Sequence, residues 1–389
     1  MPKTIISILG TSGRDYKSKE PSLVHYDCSI LSKECGEYHN ATDVLLEHFD
    51  GVFYFIGTQY AIDFQKELLD FRGRECHFVV VSDDGLDDVF EKVLELLAEH
   101  DDVLLDVTHG FRHQPIMAIF ASTLSQFLAR NSLQIVYAKV LDSTHYAYIY
   151  LDNYVEISQI SLLLTGFIRT LNFIPVNSMK LLDNKVFENF SKSLLANDLR
   201  GVQKHHVLLQ KELTQLENNE ALSHIGKLLD KVQKELKPLE GFSGLDKHER
   251  YVTLAKMTVE KNYLVVALAY VFESLRTYSD LCFEDVCRDI EYEDDFSRKQ
   301  DIMNAITNAD RQFKKNITII YKKHKGFYGK NKTNLDRVAR VYLDIRKLRN
   351  SLAHINEHKE FADIKKMLFG YIFKVESIYR DDVLGQLKV

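Results

Sequence analysis

The sequence contains no tryptophan, no Cys-x-x-Cys pair among its five cysteines, and neither the Gly-x-Gly-x-x-Gly nor the P-loop spacing. It also lacks any apolar run near the ~20 residues that span a bilayer. Each absence removes a class of protein. Cys28, Cys35, Cys76, Cys282 and Cys287 are too scattered for a disulfide framework or a zinc site, and unpaired thiols fit a reducing cytoplasm. Met1-Pro2-Lys3-Thr4 runs straight into β-rich sequence without a charged-then-apolar signal pattern, so a cytoplasmic protein independent of membranes is expected. The missing glycine motifs disfavour a nicotinamide dehydrogenase. A formal net charge of −6 does not advertise nucleic-acid binding, so any RNA site must be local. His205-His206 has no third ligand at useful spacing; it is expected on a solvated surface, and no metal site is expected anywhere.

What is present suffices for two or three domains. The chain has 389 residues, 45% of them hydrophobic. In the N-terminal half, apolar runs alternate with helical patterns. Thr4 to Leu9, Val52 to Ile56, Cys76 to Val81 and Val103 to Leu105 read as strands. Ala61 to Leu69, Leu86 to Ala98 and Ile116 to Leu128 read as helices, and Ile135 to Val140 with Tyr146 to Leu151 as a closing antiparallel hairpin. Continuous apolar strands joined by helices imply a mainly parallel, Rossmann-like sheet covered on both faces. Three of the strands end in small or polar turns: Gly10-Thr11-Ser12, Gly57-Thr58-Gln59 and Asp106 to Gln114. In a parallel sheet such turns share one rim, where open α/β sheets bind ligands.

The third turn is the richest. Asp106-Val107-Thr108-His109-Gly110-Phe111-Arg112-His113-Gln114-Pro115 leads from a buried strand into a helix, and five of its side chains (Thr108, His109, Arg112, His113, Gln114) carry donors. Donors beside a helix start suit phosphates, sugars or base edges; the plainer alternative is a βα loop with incidental polar residues.

Asp-x-Thr-His-Gly-Phe-Arg, followed by proline and an apolar helix, resembles the signature of the CRISPR-associated Rossmann-fold (CARF) sensors of type III systems. The resemblance implies that this loop binds a cyclic oligoadenylate, an allosteric activator rather than a cofactor. It further implies a pocket lined by the turns after the first and fourth strands at a two-fold dimer interface, with Thr11 and Ser12 matching the first motif and Asp106 to Arg112 the second. An effector should then occupy the C-terminal half.

From about Ile157 the β-rich runs stop. Ile160 to Leu171, Phe187 to Leu199 and Val207 to Leu239 read as helices, with a break at Pro238 and Gly241 to Gly244. Tyr263 to Phe272 is apolar all round and reads as a buried helix, followed by Glu273 and Arg276 at a spacing that lets them pair. Asp285 to Asp301 is acidic and reads as less regular. Arg311 to Lys332 is basic, with Lys322, Lys323 and Lys325 beside Tyr321, Phe327 and Tyr328. Such a stretch either binds single-stranded RNA through phosphates and stacking or forms a solvated loop.

Asn334 is placed to cap a helix from Leu335 to roughly Ile355, whose apolar stripe is Leu335, Val338, Val341, Ile345, Leu348, Leu352 and Ile355. His354 lies ~160° from the centre of that stripe, Arg346 and Asn350 stack on the same polar face, and Arg349 stands on its shoulder. Arg349-Asn350-Ser351-Leu352-Ala353-His354 resembles the active-site motif of HEPN ribonucleases, and the two resemblances together are similar to the CARF–HEPN ribonucleases of type III CRISPR systems. The implied organisation is a CARF-like domain over 1–155, a connecting helical region over 156–255 and a helical HEPN-like domain over 256–389. RNA supplies its own nucleophile, the 2′-OH. Arg349 would hold phosphate, His354 would move a proton and Asn350 would orient the ribose or the imidazole, giving a 2′,3′-cyclic phosphate without metal. A homodimer would pair two such helices. The alternative is a sensing module, or a ring nuclease acting through Thr108 to Arg112, that cleaves no RNA of its own.

Overall fold

The computed structural model describes residues 3–15, 17–83, 85–128, 132–174, 179–288, 290–307, 325–353 and 359–385. The chain divides into two compact units, the first formed by Met1–Leu162 with Pro175–Leu181 and the second by Leu163–Ile174 with Leu182–Val389.

The first unit is an eight-stranded sheet in the order β3-β2-β8-β7-β6-β1-β4-β5. Its strands are β1 (Lys3–Ile8), β2 (Val24–Asp27), β3 (Gly36–Tyr38), β4 (Gly51–Gly57), β5 (Glu75–Val80), β6 (Asp102–Asp106), β7 (Ser132–Val140) and β8 (His145–Tyr150). The run β7-β6-β1-β4-β5 is parallel throughout. The expected hairpin is β7 with β8, antiparallel. Two strands were not visible in the sequence: β2 pairs parallel with β8, and β3 antiparallel with β2.

Alternation along each strand builds a core on both faces. Ile5, Phe53, Phe55 and Leu104 pack beneath α1 (Ala41–His48) and α2 (Gln59–Leu68). Ile6, Ile8, Ile56, Val103 and Leu105 pack against α3 (Leu86–Glu99) and α4 (His113–Leu128). Successive residues point to opposite faces, so a strand buried on both sides must be apolar at nearly every position. The helix after β6 begins at His113, not Ile116. His113, Gln114 and Pro115 therefore form its first turn, where proline's missing N–H costs nothing.

The second unit is helical. After α5 (Asp152–Thr170) come α6 (Asn184–Leu195), α7 (Leu199–Glu217), α8 (Gly226–Leu236), α9 (Lys247–Glu260), α10 (Leu264–Cys282), α11 (Glu284–Cys287), α12 (Asp295–Thr307), α13 (Lys325–Ala353) and α14 (Phe361–Arg380). The helix α10 is central, packing against α9, α12, α13 and α14. Up to Phe272 it is apolar all round but not buried all round: Val265 stands exposed while Leu264, Ala267, Leu268 and Val271 are buried. Glu273 and Arg276 do pair, at 2.6 Å.

Three expectations are corrected here. The segment expected as one helix from Val207 to Leu239 is broken between Glu217 and Gly226 by a 3-10 turn over Glu220–Ile225. The acidic stretch before Asp301 is ordered from Asp295 as α12, because Asp294 accepts a hydrogen bond from the Ser297 N–H and Arg298 grips Asp280 through two bonds of 2.7 Å. Asn334 caps nothing: α13 already begins at Lys325 and runs for 29 residues, placing Asn334 in its interior.

Candidate functional site in the sheet rim

The strands β6, β1 and β4 are adjacent and parallel, so the turns that follow them emerge along one rim. Two of these turns meet backbone to backbone. A Cβ on Gly10 would stand 2.8 Å from the Gly110 amide nitrogen, so only glycine lets the first turn approach the third. Gly110 itself has φ +97°, and a side chain there would strike Ile8 and the Gln114 amide.

Asp106 ends β6 fully buried. Its carboxylate accepts from Ser7 Oγ at 2.8 Å, from the Thr108 hydroxyl and from the Thr108 N–H at 3.1 Å. Burial nevertheless pushes its pKa up to about 6, because the hydrogen bonds offset only part of the desolvation. The Thr108 hydroxyl also accepts from the Ala138 N–H at 2.9 Å, so Thr108 ties β6 to β7. Both residues shape the loop, and neither hydroxyl nor carboxylate is left free.

His109 is partly buried and bridges the two turns. The Ala41 N–H donates to its Nε2 at 3.2 Å, which leaves the proton of the neutral ring on Nδ1, facing the Ser12 hydroxyl at 3.2 Å. Burial lowers its pKa to about 4. A second layer holds the first turn from behind. Asn40 donates to the Ser12 carbonyl at 3.0 Å and to Gln65 Oε1 at 2.9 Å, and Gln65 donates to the Gly10 carbonyl at 2.6 Å. Asn40 meanwhile caps α1 by accepting from the Asp43 N–H. The sequence reading missed both residues. Asn40 carried a readable signal, an Asn just before the helix Ala41–His48, but Gln65 looked like any helical glutamine.

The start of α4 supplies the open donors. Gln114 is 1% exposed; its Oε1 accepts from the Phe111 N–H at 2.9 Å while the Gln114 N–H donates to the Phe111 carbonyl at 2.8 Å, a reciprocal cap. Its Nε2 is buried with no hydrogen-bond partner, and so is Nε2 of His113. Arg112 is exposed and makes no ion pair among the described residues. Thr11 is exposed on the first turn. The second turn differs: Gly57 is buried, and Thr58 is buried with its hydroxyl spent on capping α2 through the Ala61 N–H.

In the second unit, Leu335, Val338, Val341, Ile345 and Leu348 are all buried, while Arg346, Arg349 and Asn350 are exposed. The Arg349 guanidinium lies 4.8 Å from the centroid of the Phe272 ring. His354, Lys322 and Lys323 fall outside the described residues, and of Lys325 only the backbone, at the start of α13, is described. A cavity of about 610 Å³ lies elsewhere in this unit, beside His248, Tyr278 and Tyr379; its lining mixes Asp246, Glu249, Glu376 and Asp382 with Lys256 and Arg380. Among the described residues no group of three or more His, Cys, Asp or Glu is arranged to hold a metal ion, and no helix is long and apolar enough to cross a membrane.

No protein-family model matches the chain, and no curated protein does. Among solved structures it is similar to Enterococcus italicus Csm6 bound to cyclic hexa-2′-fluoro-hexa-dAMP, with a TM-score of 0.41 and 11% identity over 100% of this chain and 94% of that one. At that level the likeness assigns no residue a role.

Proposed function

We propose that the chain is a metal-independent, single-stranded RNA endoribonuclease of type III CRISPR defence, switched on by a cyclic oligoadenylate bound at the rim of the first unit. The observation that carries the sensing half is the meeting of Gly10 and Gly110, with the unpartnered Nε2 of Gln114, the free guanidinium of Arg112 and the start of α4 beside it. A buried donor without a protein partner marks where a ligand's acceptor belongs, and backbone N–H groups at a helix start favour phosphate. The catalytic half rests on the motif Arg349 to His354 and on the exposure of Arg349 and Asn350 opposite a buried stripe.

A homodimer fits both ends. Ile116, Phe120 and Leu124 form an exposed apolar stripe along α4 beside the sensing loop, and such a stripe favours self-association. Each chain carries one copy of the motif from Arg349 to His354, so a pair of chains would double the site. The ring-nuclease alternative finds less support, because the Thr108 hydroxyl and the His109 ring are both engaged in the fold.

The test is a labelled single-stranded RNA incubated with cyclic tetra- or hexa-adenylate, with and without EDTA. Cleavage is expected with one activator, and chelation leaves it unchanged. Arg349→Ala or His354→Ala should lower the rate by about 10²–10³-fold while binding activator normally. Arg112→Ala should weaken activator binding and regain cleavage at saturation. Loss of activator affinity in His354→Ala to the same degree as in Arg112→Ala would sink the two-site reading.

A further inference from the structure

Arg349 is held in an unusual way for a surface arginine. It makes no ion pair among the described residues, yet its guanidinium sits over the face of Phe272 on α10. Tyr342 lies two turns earlier on the same helix. Tyr342 stacks on the same Phe272 ring, with centroids 5.3 Å apart and planes 24° from parallel. Phe272 is almost fully buried. A third group fixes the ring: Arg276, 1% exposed, lies 5.4 Å from its centroid. Arg276 does not compete for the role of Arg349, because it donates to Glu273 at 2.6 Å and to the Phe296 carbonyl at 3.0 Å.

We infer that Phe272 is a positioning residue for Arg349, an inference that rests on the ribonuclease reading above. A guanidinium pinned by a carboxylate spends its donors on that carboxylate. One laid on an aromatic face is oriented through the ring's quadrupole and keeps its edge donors. The aromatic shelf therefore presents Arg349 to a phosphate with its five N–H groups available, and the buried Arg276, tied to Glu273, keeps the shelf still.

The experiment uses the full chain at saturating cyclic oligoadenylate and measures kcat and KM for RNA. Phe272→Leu and Phe272→Met remove the ring face and keep apolar bulk. Each is expected to lower kcat about tenfold, with KM and the melting temperature little changed, and Phe272→Tyr is expected to restore the rate. Wild-type kcat in a folded Phe272→Leu or Phe272→Met variant, while Arg349→Ala is inactive, would overturn the positioning role alone. Full activity in Arg349→Ala would overturn the ribonuclease assignment with it. A kcat loss in Phe272→Tyr equal to that in Phe272→Leu would point to packing, not to the ring face, and would equally count against the inference.

Discussion

The two candidate sites differ in how they are held. In the sheet rim nearly every polar group is tied: Asp106 to Ser7 and Thr108, His109 to Ala41 and Ser12, and the first turn to Asn40 and Gln65. On α13, Arg349 and Asn350 stand exposed, and among the described residues an aromatic face restrains Arg349. The rim is preorganised within one chain and, among the described residues, leaves unpartnered Arg112, the Gln114 amide nitrogen and Nε2 of His113. The helix offers chemistry with little scaffolding, so its organisation must come from the substrate or from a second copy. A site of the first kind is suited to recognition, and a site of the second kind to being assembled.

The sharpest way to break that contrast is pH. Asp106 is raised to about 6 by burial, so between its ordinary 3.8 and 6 the folded chain holds more protons than the unfolded one. Its effect on stability is nil below that window and becomes a penalty of about 3 kcal/mol above it. His109 is lowered from 6.5 to about 4, and in that window the unfolded chain holds more protons. Its penalty is absent above 6.5 and about 3 kcal/mol below 4. The two slopes nearly cancel, so between pH 4 and 6 the wild type should show a shallow contribution from this loop. Urea unfolding across that range is expected to show stability rising with pH in Asp106→Asn, where His109 acts alone, and falling with pH in His109→Gln. Parallel profiles in all three proteins would mean the loop is not packed as described.

A smaller effect is expected at Gln114. Gln114→Ala removes the acceptor of the Phe111 N–H and the unpartnered donor together. Phe111 is exposed, so losing this hydrogen bond costs about 1 kcal/mol of stability, and activator affinity measured by calorimetry should fall with it. Unchanged affinity would remove Gln114 from the pocket. The smallest effect is at Thr58. Thr58→Ala loses the cap of α2, costing about 1 kcal/mol in thermal unfolding, with activator affinity unaltered. A matching drop in affinity would return Thr58 to the ligand site.

The parts of the fold that could be read in the sequence were those built from long, one-sided signals. The runs of β1, β4 and β6 and the stripe from Leu335 to Leu348 each repeat a period often enough to be recognised. The turn at Asp106 to Gln114 was legible because its donors crowd into one stretch. By contrast, β2 and β3 have four and three residues, too few to display a period. The early part of α13 contains Gly326 and Gly329, which oppose helix, and α12 is held by contacts to α10 that no local pattern encodes. Asn40 and Gln65 act through partners 25 to 55 residues away, and such partnerships exist only once the chain has folded.

The length of α13 sets a ruler. Lys325 opens a helix of 29 residues, and Arg349 sits near its far end. At ~1.5 Å per residue those two positions are roughly 36 Å apart along one chain. A single strand stacked at ~3.4 Å per nucleotide would need about twelve nucleotides to touch both ends. Any benefit that RNA draws from the Lys325 end of the same subunit should therefore appear only above a threshold of oligonucleotide length, while shorter substrates experience the Arg349 end alone.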